Sequence, residues 1–155
     1  MICFHNPEEE YGWLSNWYLS PFEVGGIRFS SMEQYMMYEK AVTFGDLAVA
    51  KQILAEVDVA KIKAYGRQVA NYEEMVWNGI RQIVVYCGLL AKFSQNEDLR
   101  EKLKATGSEI LAECAVHDTI WGIGLSMCDP DRLDIQKWRG QNLLGFALMQ
   151  VRGKI

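Results

Sequence analysis

Phe29-Ser30-Ser31-Met32-Glu33-Gln34-Tyr35-Met36 is the stretch on which the fold turns. A serine followed three positions later by a glutamate, then good helix formers without proline over residues 32–44, marks a helix N-terminus. Upstream, Phe22, Val24, Ile27 and Phe29 flank Gly25-Gly26, and two glycines supply the positive φ angles of a two-residue hairpin turn. A short hairpin running into a helix is therefore expected here, preceded by an aromatic loop at Tyr11-Gly12-Trp13-Leu14-Ser15-Asn16-Trp17-Tyr18.

Downstream the helical signals continue. Asp46 is placed to cap a second helix to about residue 56, and Asp58 a third to about residue 65, with Gly66 as its stop. Residues 73–93 read as a long, mostly buried helix, and residues 96–105 as another that ends at Thr106-Gly107. The pattern then changes to a short apolar run over residues 110–115, followed by loop and turn signals at Asp118, Trp121-Gly122-Ile123-Gly124 and Asp129-Pro130-Asp131. Asn142 is placed to cap a final helix over residues 143–151. No repeat or linker interrupts the chain, so the expectation is one α+β domain over residues 1–155, mainly helical with a small β-sheet.

At 155 residues, 50% hydrophobic and 23% charged, the chain has the composition of a globular domain with a core of its own. A net charge of −4 argues against sequence-independent binding to long nucleic acid, while leaving room for a local pocket that holds one or two phosphates. Cys3, Cys87, Cys114 and Cys128 stand far apart and the only histidines are His5 and His117, so no metal site and no cofactor is expected. The N-terminus reaches His5 and Glu8 to Glu10 before any apolar stretch, which argues against a signal peptide and for reduced thiols in the cytoplasm. The longest apolar stretch, residues 83–93, is too short to span a bilayer, so no membrane partner is expected. The phosphate-cradling loop of nucleotide hydrolases, the dinucleotide-binding glycine pattern and the G-x-S-x-G elbow are all missing.

The chemistry-bearing feature is the interleaving of polar residues with aromatics: Ser15-Asn16-Trp17, Glu33-Gln34-Tyr35, Trp121-Gly122 and Trp138-Arg139-Gly140-Gln141-Asn142. Two readings stand together. The tryptophans can fill a core, with Asn16 and Asn142 serving turns and caps, or they can wall a cleft for a planar base, each stacking contact being worth about 1 to 3 kcal/mol. Glu33 and Lys40, seven apart, fall on nearly the same helix face with Met36 and Met37 between them. They form either a capping glutamate and a solvated lysine or a partly buried acid and amine with shifted pKa values. Cleaving a ribose C–N bond requires a carboxylate near an oxocarbenium-like carbon, for which Glu33 and Asp118 are candidates. A desolvated lysine, Lys40 first, could instead attack the sugar aldehyde and form a Schiff base. Arg67 and Lys92 are candidate phosphate donors.

In their order, these blocks resemble the YbiA-like family, also called the NADAR domain. The likeness runs through Tyr11 to Trp17, Phe29 to Met36, Lys40-Ala41, Phe44-Gly45-Asp46, Gly66-Arg67, Trp77, Gly88-Leu89-Leu90-Ala91-Lys92-Phe93, Gln95-Asn96, Asp118-Thr119-Ile120-Trp121-Gly122-Ile123-Gly124 and Trp138 to Gly145. Many ordered blocks make it specific, where any one alone would be weak. The resemblance implies an α+β fold with a nucleotide-like pocket, and an N-glycosidase acting on phosphorylated ribosylamino-pyrimidine intermediates of riboflavin biosynthesis. The alternatives are removal of ADP-ribose from guanine bases in nucleic acid, or a non-catalytic module that binds ADP-ribose or a related nucleotide. It also implies that Glu33 is the catalytic acid, Lys40 an active-site lysine, and Asp118, Trp121 and Asn142 pocket residues. By the same likeness the first strand begins almost at residue 1, leaving no room for an appended domain; the oligomeric state is left open.

Overall fold

The computed structural model describes residues 1–155 and divides them into two compact units, Leu19–Asn96 and Met1–Tyr18 with Glu97–Ile155. It contains six α-helices and four short strands, so the α+β, mainly helical expectation holds. The strands form two separate pairs rather than one small sheet. No helix is long and apolar enough to cross a membrane.

In the unit Leu19–Asn96, β2 (Leu19–Val24) and β3 (Ile27–Ser31) make the expected antiparallel hairpin. Gly25 and Gly26 sit at φ +59° and +80°, the positive values a tight turn of this hand needs. Phe22 and Phe29 are cross-strand partners buried on one face, where both rings pack against Tyr35. At the hairpin's edge Gln95 behaves like a third strand: its carboxamide accepts from the Glu23 amide at 2.7 Å and donates to the Glu23 carbonyl at 2.8 Å.

Helix α1 (Met32–Thr43) is the element that α2 (Leu47–Ala55), α3 (Val59–Arg67) and α4 (Glu74–Gln95) all contact. Asp46 and Asp58 cap α2 and α3 as expected. Asp46 also accepts from the Ala70 amide at 2.8 Å, which ties the α3–α4 loop to the start of α2. Gly66 lies inside α3 instead of stopping it. A Cβ there would come within 2.0 Å of the Met37 sulfur, so its purpose is close helix approach. Gly88 does the same on α4, where a Cβ would meet the Tyr35 ring at 2.5 Å and the Met32 methyl at 2.8 Å.

The other unit is built from both ends of the chain. β1 (Ile2–Phe4) and β4 (Leu111–Glu113) pair in parallel, with Cys3 opposite Ala112. Helices α5 (Glu97–Ala105) and α6 (Leu143–Arg152) complete it, α6 lying against β4. The Arg152 guanidinium ties the end of α6 to the Thr106 hydroxyl at 2.8 Å and the Glu109 carbonyl at 2.9 Å.

Adding a methyl at Gly88 forces Tyr35 and Met32 apart, so Gly88→Ala is expected to lower urea-unfolding stability by about 1 to 3 kcal/mol. Gly79→Ala meets no atom within 4 Å in the same helix. It is expected to raise stability by roughly 0.5 to 1 kcal/mol through helix propensity alone.

Candidate functional site

At the head of α1 the helix N-cap is Ser31, whose hydroxyl accepts from the Gln34 amide at 3.1 Å. The residue reaching back is Gln34: its carboxamide oxygen accepts from the Ser30 amide at 2.7 Å and hydroxyl at 3.0 Å. Its nitrogen donates to the carbonyls of Ile53 at 3.0 Å and Glu56 at 3.1 Å, at the end of α2. The capping pair is therefore Ser31 and Gln34, one position later than the Ser30–Glu33 spacing suggested. Glu33 is a carboxylate only 4% exposed in the first turn of a helix whose N-terminal dipole favours negative charge.

Two turns along α1, Lys40 is half-buried. Burial pulls its ammonium below the ordinary lysine range; the Glu33 carboxylate opposes this and the Arg67 guanidinium adds to it. Its Nζ lies 4.6 Å from the centroid of the Tyr72 ring, which stands edge-on to Phe44 at 5.3 Å. The structure therefore brings Glu33, Lys40 and Arg67 into one electrostatic group and adds Tyr72 and Phe44 to it. Sequence reasoning passed over Tyr72 because it sits in a loop; the non-glycine Asn71 before it, at φ 59°, gave no legible signal.

Lys92 is placed elsewhere. It is fully buried on α4, its ammonium 5.1 Å from the Phe93 ring centroid, and desolvation lowers its pKa to about 7. Its side chain has no solvent exposure, unlike the open phosphate donor that the sequence suggested.

The remaining expected residues belong to the other unit. Asp118 accepts through one oxygen from the amides of Ile120 at 3.0 Å and Trp121 at 2.8 Å, which folds the Asp118-Thr119-Ile120-Trp121 turn around its carboxylate. That turn is laced to the segment after Trp138 by backbone bonds from Arg139 to Ile123, Gln141 to Thr119 and Asn142 to Gly122, at 2.8, 2.9 and 3.1 Å. Trp121 is half-buried and Gly122 buried within this lattice. Two expected binding residues prove to be framework. The Asn142 carboxamide accepts from the Glu113 amide at 3.0 Å and donates to the Leu111 carbonyl at 2.9 Å, so it ties α6 to β4 and makes no side-chain cap. The Trp138 indole donates to the Arg132 carbonyl at 2.8 Å and packs on Ala112, Cys114, Ile123 and Leu125.

Ser15 and Asn16 are buried just after a short 3-10 turn, Gly12–Leu14, and the Ser15 hydroxyl accepts from the Trp17 amide at 3.1 Å. Asn16 is 6% exposed and its Oδ1 accepts no hydrogen bond. A buried acceptor left unmet is costly, and such atoms in native proteins call for a specific reason. No group of three or more His, Cys, Asp or Glu side chains stands close enough to hold a metal ion.

With this geometry in view, the whole chain can be compared with known proteins. The NADAR domain model matches residues 3–155. The chain belongs to the NADAR domain family. It is 42% identical over 131 residues to protein irg-1 of Caenorhabditis elegans, spanning 83% of this chain and 62% of that one. An N-glycosidase of Acanthamoeba polyphaga mimivirus is 39% identical, over 89% of this chain and 84% of its own. A riboflavin biosynthesis protein of Vibrio vulnificus is 30% identical over 99% of this chain, which spans only 38% of that longer protein. The solution structure of Escherichia coli YbiA superposes with a TM-score of 0.81 at 27% identity, covering 99% of this chain and 83% of that one.

The enclosed Lys92 gives a test by titration. An unfolded lysine titrates near about 10.4 and the folded one near about 7, so between these values the unfolded chain binds more protons and stability rises with pH. Lys92→Met should lack that rise. Thermal melts across this range should show the variant's advantage to be largest at the acid end and shrinking toward the alkaline end.

Proposed function

We propose that this protein hydrolyses the ribose C–N bond of phosphorylated ribosylamino-pyrimidines, intermediates of riboflavin biosynthesis. It is an enzyme of the N-glycosidase kind, as several relatives of this family are named. The observation that supports this reading is the placing of Glu33 and Lys40 on one face of α1, the first a buried carboxylate and the second an amine held below the ordinary lysine range by burial.

In this reading Glu33 supplies a proton to the departing amine or steadies positive charge at the ribose carbon. Water adds to that carbon, so ribose gains a hydroxyl and the pyrimidine leaves as a free amine. Lys40, whose ammonium burial holds below the ordinary lysine range, is the candidate to capture the opened sugar aldehyde; its amine adds to the carbonyl, water leaves as the imine forms, and hydrolysis takes up that water and frees the sugar and the amine. Tyr72 supplies an aromatic face beside the amine. Arg67, whose charge acts on Lys40, is the candidate anchor for the phosphate. Within the unit Met1–Tyr18 with Glu97–Ile155, Asp118, Trp121 and Gly122, with Ser15, Asn16 and Trp17, are proposed as binding residues on the family likeness, and the unmet Oδ1 of Asn16 is an acceptor suited to an exocyclic amine. The chain's net charge of −4 favours a small anionic substrate over guanine-linked ADP-ribose in nucleic acid.

The test is base release, followed by chromatography, with a phosphorylated ribosylamino-pyrimidine and separately with guanine-linked ADP-ribose. Release from the pyrimidine is expected; release from the guanine adduct alone would overturn the substrate assignment. Glu33→Gln should stay folded and bind substrate while losing on the order of 10²-fold or more in kcat, the usual weight of a general acid. Normal turnover by that variant would remove Glu33 from the mechanism.

A further inference from the structure

Strand β1 places Cys3 opposite Ala112 of β4, and side chains two apart along a strand share a face. Cys114, bonded through its amide to the Phe4 carbonyl at 2.8 Å, therefore comes to the same side as Cys3. There Cys114 is part of a buried cluster with Ala112, Ile123 and Leu125, and Cys3 packs on it from the partly open side, beside Met1, Met127 and Trp138. Neither cysteine is in a disulfide.

The third member is Arg132. Three aspartates lie within three residues of it, yet none forms an ion pair with it. The Asp131 carboxylate is taken by Lys137 at 2.8 Å, while Asp129 and Asp134 accept from the backbone amides of Asp131 and Gln136 at 2.9 and 3.0 Å. Arg132 is fixed through its own Nη1 on the Asp129 carbonyl at 2.9 Å and by the Trp138 indole on its carbonyl, and its buried Nε has no acceptor. Its charge is directed at the Cys3 thiol. Cys114 Sγ lies 3.9 Å from the Ala112 carbonyl that it donates to; the neighbouring Cys114 thiol, the Arg132 guanidinium and the N-terminal ammonium all favour the Cys3 thiolate, holding its pKa down to about 6, and the same pairing pushes Cys114 up. Cys114 is thus the partner that keeps its proton.

We propose that Cys3, Cys114 and Arg132 form a peroxide-reactive dithiol site, in which Cys3 is the attacking sulfur and Cys114 the resolving one. The Cys3 thiolate attacks one oxygen of hydrogen peroxide, forming an S–O bond as the O–O bond breaks, and the departing hydroxide becomes water with the proton that Cys3 released to solvent on ionising. The Cys114 sulfur then attacks the Cys3 sulfenic acid; an S–S bond forms, the S–O bond breaks, and the Cys114 proton leaves with the hydroxide as water. Two thiols lose two electrons and one peroxide gains them. Nothing in this chemistry depends on the glycosidase reading.

Simple exposure predicts a different order. Cys87 and Cys128 are the exposed thiols, so they should react first if access alone governs the rate. The experiment is a time course of the whole folded protein with equimolar hydrogen peroxide, quenched and read by intact mass and by peptide mapping without reduction. The expected result is a loss of two hydrogens, with one linkage joining the Cys3 and Cys114 peptides before Cys87 or Cys128 changes. Cys114→Ala should leave Cys3 trapped as a sulfenic acid that dimedone labels, and Arg132→Met should slow the reaction of Cys3 by about tenfold as its thiolate fraction falls. If Cys114→Ala does not fold, the unaltered protein under dimedone competition gives the same reading. Oxidation of Cys87 or Cys128 ahead of Cys3, a linkage that omits Cys114, or an unchanged rate in Arg132→Met would each overturn the assignment.

Discussion

The carboxamide of Gln34 is the interaction on which the unit Leu19–Asn96 depends. One oxygen holds the backbone where β3 turns into α1, and one nitrogen donates to the carbonyls of Ile53 and Glu56 at the end of α2. A buried amide that meets partners at three points fixes two helices and a strand end at once, and breaking it would strand several polar groups together.

Geometry near α1 follows from what its neighbours lack. Gly66 on α3 and Gly88 on α4 present bare backbone to Met37 and to Tyr35 with Met32, so two helices close on α1 without displacing its side chains. Lys40 stays only partly covered beside Arg67 and Tyr72, where water is scarce enough to weaken its hold on a proton. In the other unit, order comes from backbone instead. The turn closed by the Asp118 carboxylate and the strap after Trp138 exchange main-chain bonds, and the Asn142 side chain ties both to β4.

What the sequence made legible was local. The hairpin at Gly25-Gly26 and the aspartate caps of α2 and α3 depend on residues a few positions apart, and each came out as read. The capping box was read one residue early, since Ser30–Glu33 and Ser31–Gln34 have the same spacing and only the contact with α2 separates them. Gly66 was taken for a stop because glycine at a helix end and glycine at a helix crossing look alike without the partner helix. The parallel pairing of β1 with β4 and the use of Asn142 as a tie across 29 residues have no local signature. Tyr72 escaped for the same reason, being brought beside Lys40 by a loop that Asp46 anchors from another helix. Of the candidate site, Glu33 and Lys40 were visible as a stripe on one helix, whereas the enclosure of Lys92 depends on packing that no periodicity encodes.

The pairing of the first strand with one formed more than a hundred residues later has a consequence for how the chain is made. A ribosome releases residues 19–96, with every strand and helix of their unit, well before β4 emerges. Up to that moment β1 has no strand to pair with, and its edge is open while synthesis runs on. Contacts of such long sequence separation form late and slowly, so the assembly of this unit is timed by the birth of the C-terminal third. A pause or truncation before Leu111 would leave a nascent chain whose apolar β1 has no partner strand, the kind of species that chaperones hold.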